Sequence, residues 1–289
     1  MTSPKRPRGR PKSQFRESSA GTLQSLDRAL GILRAVSKSD RATLTDLSLS
    51  LGVPTATTHR ILTTLQKHGF VAFDDERQDW VIGIEAYRIG VSFMNRTGLS
   101  TVSRPVMRQL MEKTGETANL AIADGAEVVF VGQVETSNPI RAFFARGTRT
   151  SMHASGTGKA ILAALPEERV RKLLMLSGLA SFTDATLVTP DALFADLAET
   201  RARGWSYDRE ERYEGMSCIG SAIYDEHQEP YAGVSISGPS TRFDARRVPE
   251  LGATVARAAR DITDLIGGRF PDHIEKPLGT RPGNASQVT

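Results

Sequence analysis

Between residues 42 and 80 the hydrophobic period of this chain changes from helical to alternating, in an order that few folds accommodate. Thr43-Leu44-Thr45-Asp46 has the Thr-x-x-Asp form of a helix start, and Leu44, Leu47 and Leu51 follow at helical spacing until Gly52. Pro54 opens a second helix, where the fixed φ of proline suits a first turn, with Ile61, Leu62 and Leu65 as its buried stripe. After Gly69 the period falls to two: Val71 and Phe73, a polar tip over 74–79, then Trp80 and Ile82 predict a short hairpin. A helix over 25–36 supplies Leu26, Leu30, Ile32, Leu33 and Val36 as packing, and its charged residues read as scaffold. Helix, glycine turn, proline-started helix and hairpin in unbroken order predict a winged helix-turn-helix.

Such a motif seats its second helix in a groove of double-stranded DNA. Thr55, Thr57, Thr58, His59 and Arg60 crowd the N-terminal half of that helix. Short donors near the positive end of a helix can approach phosphates and base edges, and Arg60 can pair with guanine or phosphate. The plainer alternative, two amphipathic helices and a hairpin, leaves these residues as a solvated face.

The net charge of +4 is small for 289 residues, and its location matters more than its size. Lys5, Arg6, Arg8, Arg10, Lys12 and Arg16 face Glu17 alone within the first twenty residues, a local +5 that leaves the rest of the chain at −1. This tail has no apolar run, so it reads as neither signal peptide nor membrane anchor and is expected to be disordered in isolation. Its Pro-Arg-Gly-Arg-Pro, residues 7–11, resembles the core of an AT-hook, in which Arg8 and Arg10 would enter a narrow minor groove. A merely solvating basic tail is the other reading, and either makes DNA binding salt-dependent. Cys218 is the only cysteine and no segment approaches a membrane span, so a cytoplasmic location without disulfides or membrane contact is expected.

Downstream, a linker helix over 84–98 leads into a helix ended by Gly115, then strands over 119–123 and 128–134 about the turn dipeptide Asp124-Gly125. A strand over 141–145 and helices over 156–165, 167–176 and 191–203 follow. Strands over 205–208, 217–224 and 231–237 and a closing helix over 248–266 complete the pattern. The chain therefore divides into a tail (1–20), the winged helix-turn-helix (21–83), the linker helix (84–98), a second domain (99–270) and a C-terminal tail (271–289). The fold class is α+β with an antiparallel sheet.

Polar residues inside the second domain's apolar elements need a reason. In Met152-His153-Ala154-Ser155-Gly156-Thr157-Gly158-Lys159, the N–H groups at a helix start, reached closely because glycine lacks a side chain, make a seat for a carboxylate. A plain Ser155 cap with turn glycines is the alternative; the glycine spacing is not that of a Walker A loop. Asp208 ends a strand, and Ser235 and Ser237 share one strand face beside the hairpin partner that carries Cys218, so these residues can line a small polar pocket. For Cys218 alone, an inert buried thiol is the ordinary outcome. A cysteine hydrolase using Cys218, His153 and Asp208 lacks motif context, and His153, His227, Cys218 and Asp208 lack zinc spacing. No catalytic residue, metal or cofactor is expected. A DNA-architectural protein without a ligand would leave the second domain purposeless.

LGVPTATTHRILTTLQKHGF and EGMSCIGSAIYDEHQEPYAGVSISGP resemble the recognition segment and the effector-domain signature of the IclR family of bacterial transcriptional regulators, a resemblance that spans residues 21–268. It implies a winged helix-turn-helix, a linker helix and a GAF-like effector domain, assembled as a homodimer or homotetramer on palindromic DNA, without catalysis. MHASGTGKAILA and DEHQEPYAGVSISGP are most similar to the glyoxylate-sensing subgroup. That likeness implies a regulator of glyoxylate and glycolate assimilation; regulation by another small carboxylate or an aromatic acid is the alternative. In that subgroup the ligand is held by residues that fall on Gly156, Thr157, Asp208, Cys218, Ser235 and Ser237. Two departures stand out: Thr157 replaces a small aliphatic residue, which a backbone N–H contact survives, and Thr55-Ala56 replaces the Lys-Ser common after the proline, which removes a basic phosphate contact.

Overall fold

The computed structural model describes residues 23–39 and 41–271, with 93–97 by backbone alone. The basic tail with Arg8 and Arg10, and the C-terminal tail past its first residue, lie outside the described residues. The chain divides into two compact units, one ending at Phe93 and one beginning at Met94.

The first unit contains α1 (Gln24–Lys38), α2 (Leu44–Leu51), α3 (Thr55–Lys67), β1 (Val71–Asp74) and β2 (Asp79–Ile82). Thr43 caps α2, its hydroxyl accepting the Asp46 N–H at 3.2 Å and donating to the Asp46 carboxylate at 2.7 Å. Gly52 closes α2 at φ 60°, a left-handed conformation that suits glycine. Pro54 stands one residue before α3 rather than inside it, and its carbonyl accepts the N–H groups of Thr57 and Thr58 at 2.8 and 2.9 Å. β1 and β2 pair antiparallel from Val71↔Ile82 to Asp74↔Asp79. Ile32, Val36, Leu47, Leu62, Val71 and Trp80 meet in one core, drawing one or two residues from each of these elements.

α4 (Ile84–Thr97) runs across the division between the units. The second unit continues with α5 (Leu99–Thr114), β3 (Thr117–Asp124), β4 (Glu127–Val134), β5 (Arg149–Ser151), α6 (Gly156–Ala164), α7 (Glu167–Ser177) and α8 (Pro190–Arg203). It ends with β6 (Ser206–Arg209), β7 (Met216–Tyr224), β8 (Pro230–Pro239) and α9 (Val248–Leu265). The strands form one sheet in the order β5-β4-β3-β8-β7-β6, antiparallel throughout. Leu120, Ile219, Val234 and Ile236 face α5 and α9 with Leu110, Val255 and Ile262. Val128, Phe130 and Ala222 face the other way, against Ile161, Leu193 and Leu197 of α6 and α8. Helices thus cover both faces of the antiparallel sheet, in an α+β architecture.

The strand expected over 141–145 does not form; β5 lies at Arg149–Ser151 instead. Ala142 is buried and Phe144 stacks on Phe130 with ring centroids 4.6 Å apart, so the alternation there serves side-chain burial. Gly147 and Thr148 both bond to Phe130, at 2.7 and 3.0 Å, and the Thr148 N–H also bonds to the Ala145 carbonyl at 3.0 Å, so a tight turn with Gly147 at φ 86° interrupts the ladder before residues 141–145.

α6 lies unusually close to the turn before it. A Cβ on Gly158 would sit 2.3 Å from the Cα of Met152 and 2.4 Å from its carbonyl oxygen. Helix propensity alone makes Gly158→Ala stabilising by about 1 kcal/mol. The close approach predicts the reverse, a loss of about 1–3 kcal/mol and a lower melting temperature for the second unit by circular dichroism. An unchanged or raised melting temperature would contradict this packing.

Candidate ligand site and nucleic-acid interface

The sheet face beneath α6 is apolar at one end and polar at the other. Strand register sets Asp208, Cys218, Ser237 and Thr117 in one row across β6, β7, β8 and β3, with Ser206, Gly220, Ser235 and Asn119 in the next. Side chains repeat every two residues along a strand, so both rows point to the α6 side. Glycines let the start of α6 settle on them. A Cβ on Gly220 would lie 2.5 Å from the Gly156 carbonyl carbon, one on Gly156 2.7 Å from Cys218 Sγ, and one on Gly233 2.7 Å from Thr157 Cγ2. Ser155 caps the helix by accepting the Gly158 N–H at 3.2 Å. The N–H groups of Gly156 and Thr157 belong to the first turn, where no carbonyl four residues earlier lies within the helix to receive them. All six residues singled out in sequence for a ligand meet at this place.

Their hydrogen bonding is incomplete. Gln133 donates to Asn119 Oδ1 at 2.8 Å, Asn119 to Ser237 Oγ at 3.2 Å, and Ser237 to Cys218 Sγ at 3.2 Å. The hydroxyls of Ser235, Thr157 and Thr117 are buried without a partner. Each such group costs about 1–3 kcal/mol, and Ser235 and Thr157, at the first turn of α6, leave hydrogen-bonding capacity there that a polar guest can use.

Charge is arranged just as locally. Lys159, fully buried, donates to the Tyr207 carbonyl at 2.7 Å and the Glu211 carboxylate at 2.6 Å, and pairs with Asp196 at 3.1 Å. The Glu211 N–H donates to Asp208 Oδ1 at 2.8 Å. Asp208, Glu211 and Asp196 are three carboxyl groups beside one ammonium, and one of them is poised to hold a proton. Burial first, and the neighbouring Glu211 second, push Asp208 up to about 7, with Lys159 pulling against them. Burial also raises Glu211, again opposed by Lys159.

Burial and the Asp208 charge push the Cys218 thiol up to about 11, so it is a protonated thiol at neutral pH. His153 turns Nε2 to the Ala180 carbonyl at 2.9 Å, and burial lowers its affinity for a proton. A nucleophilic cysteine needs the opposite shift and a base within reach. Among the described residues no group of His, Cys, Asp and Glu is placed to hold a metal ion, and no helix is long and apolar enough to cross a membrane.

On α3, Thr55, His59 and Arg60 are exposed and Thr57 is half-buried. Thr58 is fully buried, its hydroxyl donating to the Val53 carbonyl at 3.3 Å, so the expected DNA contact at Thr58 is withdrawn. Thr58 lies one turn before Leu62 on the inward stripe. Arg28 of α1, read from sequence as scaffold, lines one groove with Thr57, His59 and Arg60. Sequence reasoning also missed Lys159, Glu211, Asp196, Thr117 and Asn119. For Lys159 a signal was present, a lone charge among Ala160, Ile161, Leu162 and Ala163 with no polar stripe of its own.

The chain matches the family model of the IclR helix-turn-helix domain over residues 25–75 and that of the bacterial transcriptional regulator IclR C-terminal domain over residues 91–264. It is 44% identical over 264 residues to the acetate operon repressor of Salmonella typhimurium, covering 90% of this chain and 96% of that one. It is 45% identical over 258 residues to the HTH-type transcriptional regulator BhcR of Paracoccus denitrificans, covering 89% and 92%. Among solved structures, Thermotoga maritima IclR matches with a TM-score of 0.70 at 27% identity, covering 84% of this chain and 98% of that one.

Lys159→Ala should cost on the order of 3–5 kcal/mol, because it leaves the buried Glu211 and the part-buried Asp196 without their cation. Carboxyl groups that have lost a cation bind protons more readily, so the loss should shrink as pH falls from 8 to 5. Urea unfolding at the two pH values measures both; a loss equal at each pH would mean that Lys159 acts through packing alone.

Proposed function

Because the chain belongs to the IclR family of bacterial transcriptional regulators, we propose that this ligand-responsive regulator senses glyoxylate at the start of α6 and binds palindromic DNA through α3 as a homodimer or homotetramer. The observation that carries the ligand is the pair of unpartnered buried hydroxyls, Ser235 and Thr157, at the first turn of α6 near Cys218. A two-carbon oxoacid suits it: the carboxylate takes the N–H groups of Gly156 and Thr157, and the aldehyde or its hydrate takes hydroxyl donors. Further support comes from the residue types shared with the glyoxylate-sensing subgroup, and from a relative named for the operon of another two-carbon acid.

Regulation follows from linkage. A ligand that favours one arrangement of the effector domains changes the spacing of paired recognition helices, and DNA affinity shifts by the same coupling energy, typically about 1–3 kcal/mol. Thr55, Thr57, His59 and Arg60 are the base- and phosphate-facing set, with Arg8 and Arg10 of the tail adding salt-dependent affinity.

Isothermal titration with glyoxylate, pyruvate and glycolate tests the ligand. Glyoxylate should bind most tightly, and Cys218→Ala or Ser235→Ala should weaken it by about three- to tenfold, the worth of one neutral hydrogen bond. Asp208 repels an anion once it ionises, so affinity should fall as pH rises through about 7, by about tenfold between pH 6 and 8. Asp208→Asn should flatten that profile. Equal binding of all three acids, or a profile unmoved by Asp208→Asn, would displace glyoxylate from this site.

For DNA, fluorescence anisotropy on the chain's own upstream region should show Arg60→Ala losing about 1–3 kcal/mol of affinity while Cys218→Ala binds normally without ligand. Full affinity in Arg60→Ala would remove α3 from the groove.

A further inference from the structure

A second pocket, of about 310 Å³, opens toward the other end of α6, between α6, α8 and α9. β6 pairs with β7 only as far as Ser206↔Gly220, and the pocket lies where β7 runs on past it. Ala160, Ala163, Ala164 and Ala222 make an apolar floor, and Trp205, Tyr224 and Phe270 make the walls. Thr200, also on the wall, has a buried hydroxyl with no partner.

Its rim is cationic. Arg201 and Arg203 come from the last turn of α8, Arg257 and Arg260 from α9, and no carboxylate lines the pocket. Arg201 spends only Nε, on the Ala163 carbonyl at 2.8 Å. Arg203 spends Nε on the Trp205 carbonyl at 2.7 Å and rests its guanidinium 4.1 Å over the Trp205 ring, with Glu199 at 3.8 Å. Arg260 lies 5.4 Å from the centre of the Phe270 ring. Among the described residues Arg201, Arg257 and Arg260 form no ion pair, which leaves their terminal nitrogens as oriented donors. Four like charges around a low-dielectric floor repel one another and raise a positive potential that concentrates anionic ligands.

We propose that this pocket is a second ligand site, for a small organic anion with an apolar body. The arginine forks would take a carboxylate or phosphate, for which their planar geometry is matched, and the aromatic walls and alanine floor would take the body. The volume lies at the small end of ligand sites, enough for one ring. The proposal rests on none of the residues assigned to glyoxylate.

The chain holds two tryptophans, so Trp80→Phe leaves Trp205 as the only emitter in the full-length protein. Titrating benzoate into that variant should change Trp205 emission saturably, while benzamide, of the same shape without the charge, should not. Phenyl phosphate against benzoate tells which anion is preferred. Arg257→Gln with Arg260→Gln should weaken benzoate binding by about tenfold, and Cys218→Ala should leave it unchanged. Several results would overturn the assignment: no response to any anion at millimolar concentration, an equal response to benzamide, or benzoate binding lost in Cys218→Ala and kept in the arginine variant. Inorganic phosphate binding as tightly as benzoate would remove the role given to the aromatic walls. A changed oligomeric mass in the arginine variant, with benzoate binding intact, would make these arginines a subunit contact instead.

Discussion

An ammonium group with no access to water fixes the geometry of the second unit. Lys159 leaves α6 inside the protein, and burying its charge is tolerable only with strong acceptors on every side. The Tyr207 carbonyl, Glu211 and Asp196 supply them from β6, the segment after it, and α8. A cation tied to three elements holds α6 at one height and one rotation over the sheet. The first turn of the helix is therefore set over the polar rows and not over the apolar ones. The same tie shapes the charge of the site. Burial first, and the Glu211 charge second, raise Asp208 against the pull of this ammonium.

That arrangement also needs helix and sheet to touch backbone to backbone. Glycine in a helix or strand costs about 0.5–1 kcal/mol relative to alanine, and Gly156, Gly220 and Gly233 incur that cost within one contact. The return is a helix start lying directly on the strands, beside Cys218 rather than a side chain's length above it. A cap alone would have positioned the helix; three glycines bring its positive end to the sheet surface.

Local signals made the first unit legible. Thr43 with Asp46, Gly52 and the change of period at Gly69 each act within a few residues, and each element formed within about two residues of its expected bounds. The error at Thr58 came from counting residue types instead of phase: 58, 62 and 65 lie on one stripe, and a threonine there turns inward. In the second unit the misreadings are non-local. Residues 141–145 alternate like a strand, but the turn that closes Thr148 onto Ala145 breaks the ladder before it reaches them. Lys159 was passed over because lysine is ordinarily a surface residue, and the acids that justify its burial lie 37 and 52 residues later in the chain. The six residues proposed for a ligand were singled out through a long family motif together with period two; Asn119 and Thr117 became visible only once β3 was known to lie beside β8.

The protonation states of the site suit recognition for the same reason that they disfavour catalysis. A nucleophilic thiol needs a low pKa and a base; Cys218 has a raised one and lies beside a carboxyl group that is itself half-protonated near neutral pH. A protonated thiol and a protonated Asp208 present no negative charge to an incoming anion, and both can donate. Were both groups ionised, two negative charges beside the ligand's carboxylate would oppose the pull of the α6 N-terminus, whose partial positive charge is about half an elementary unit. Burial beneath the close helix–sheet contact raises both groups, which keeps the thiol neutral and Asp208 part-protonated near neutral pH, and it places the N–H groups nearby. Binding strength and proton retention therefore come from one structural cause, and loosening that contact would weaken both together.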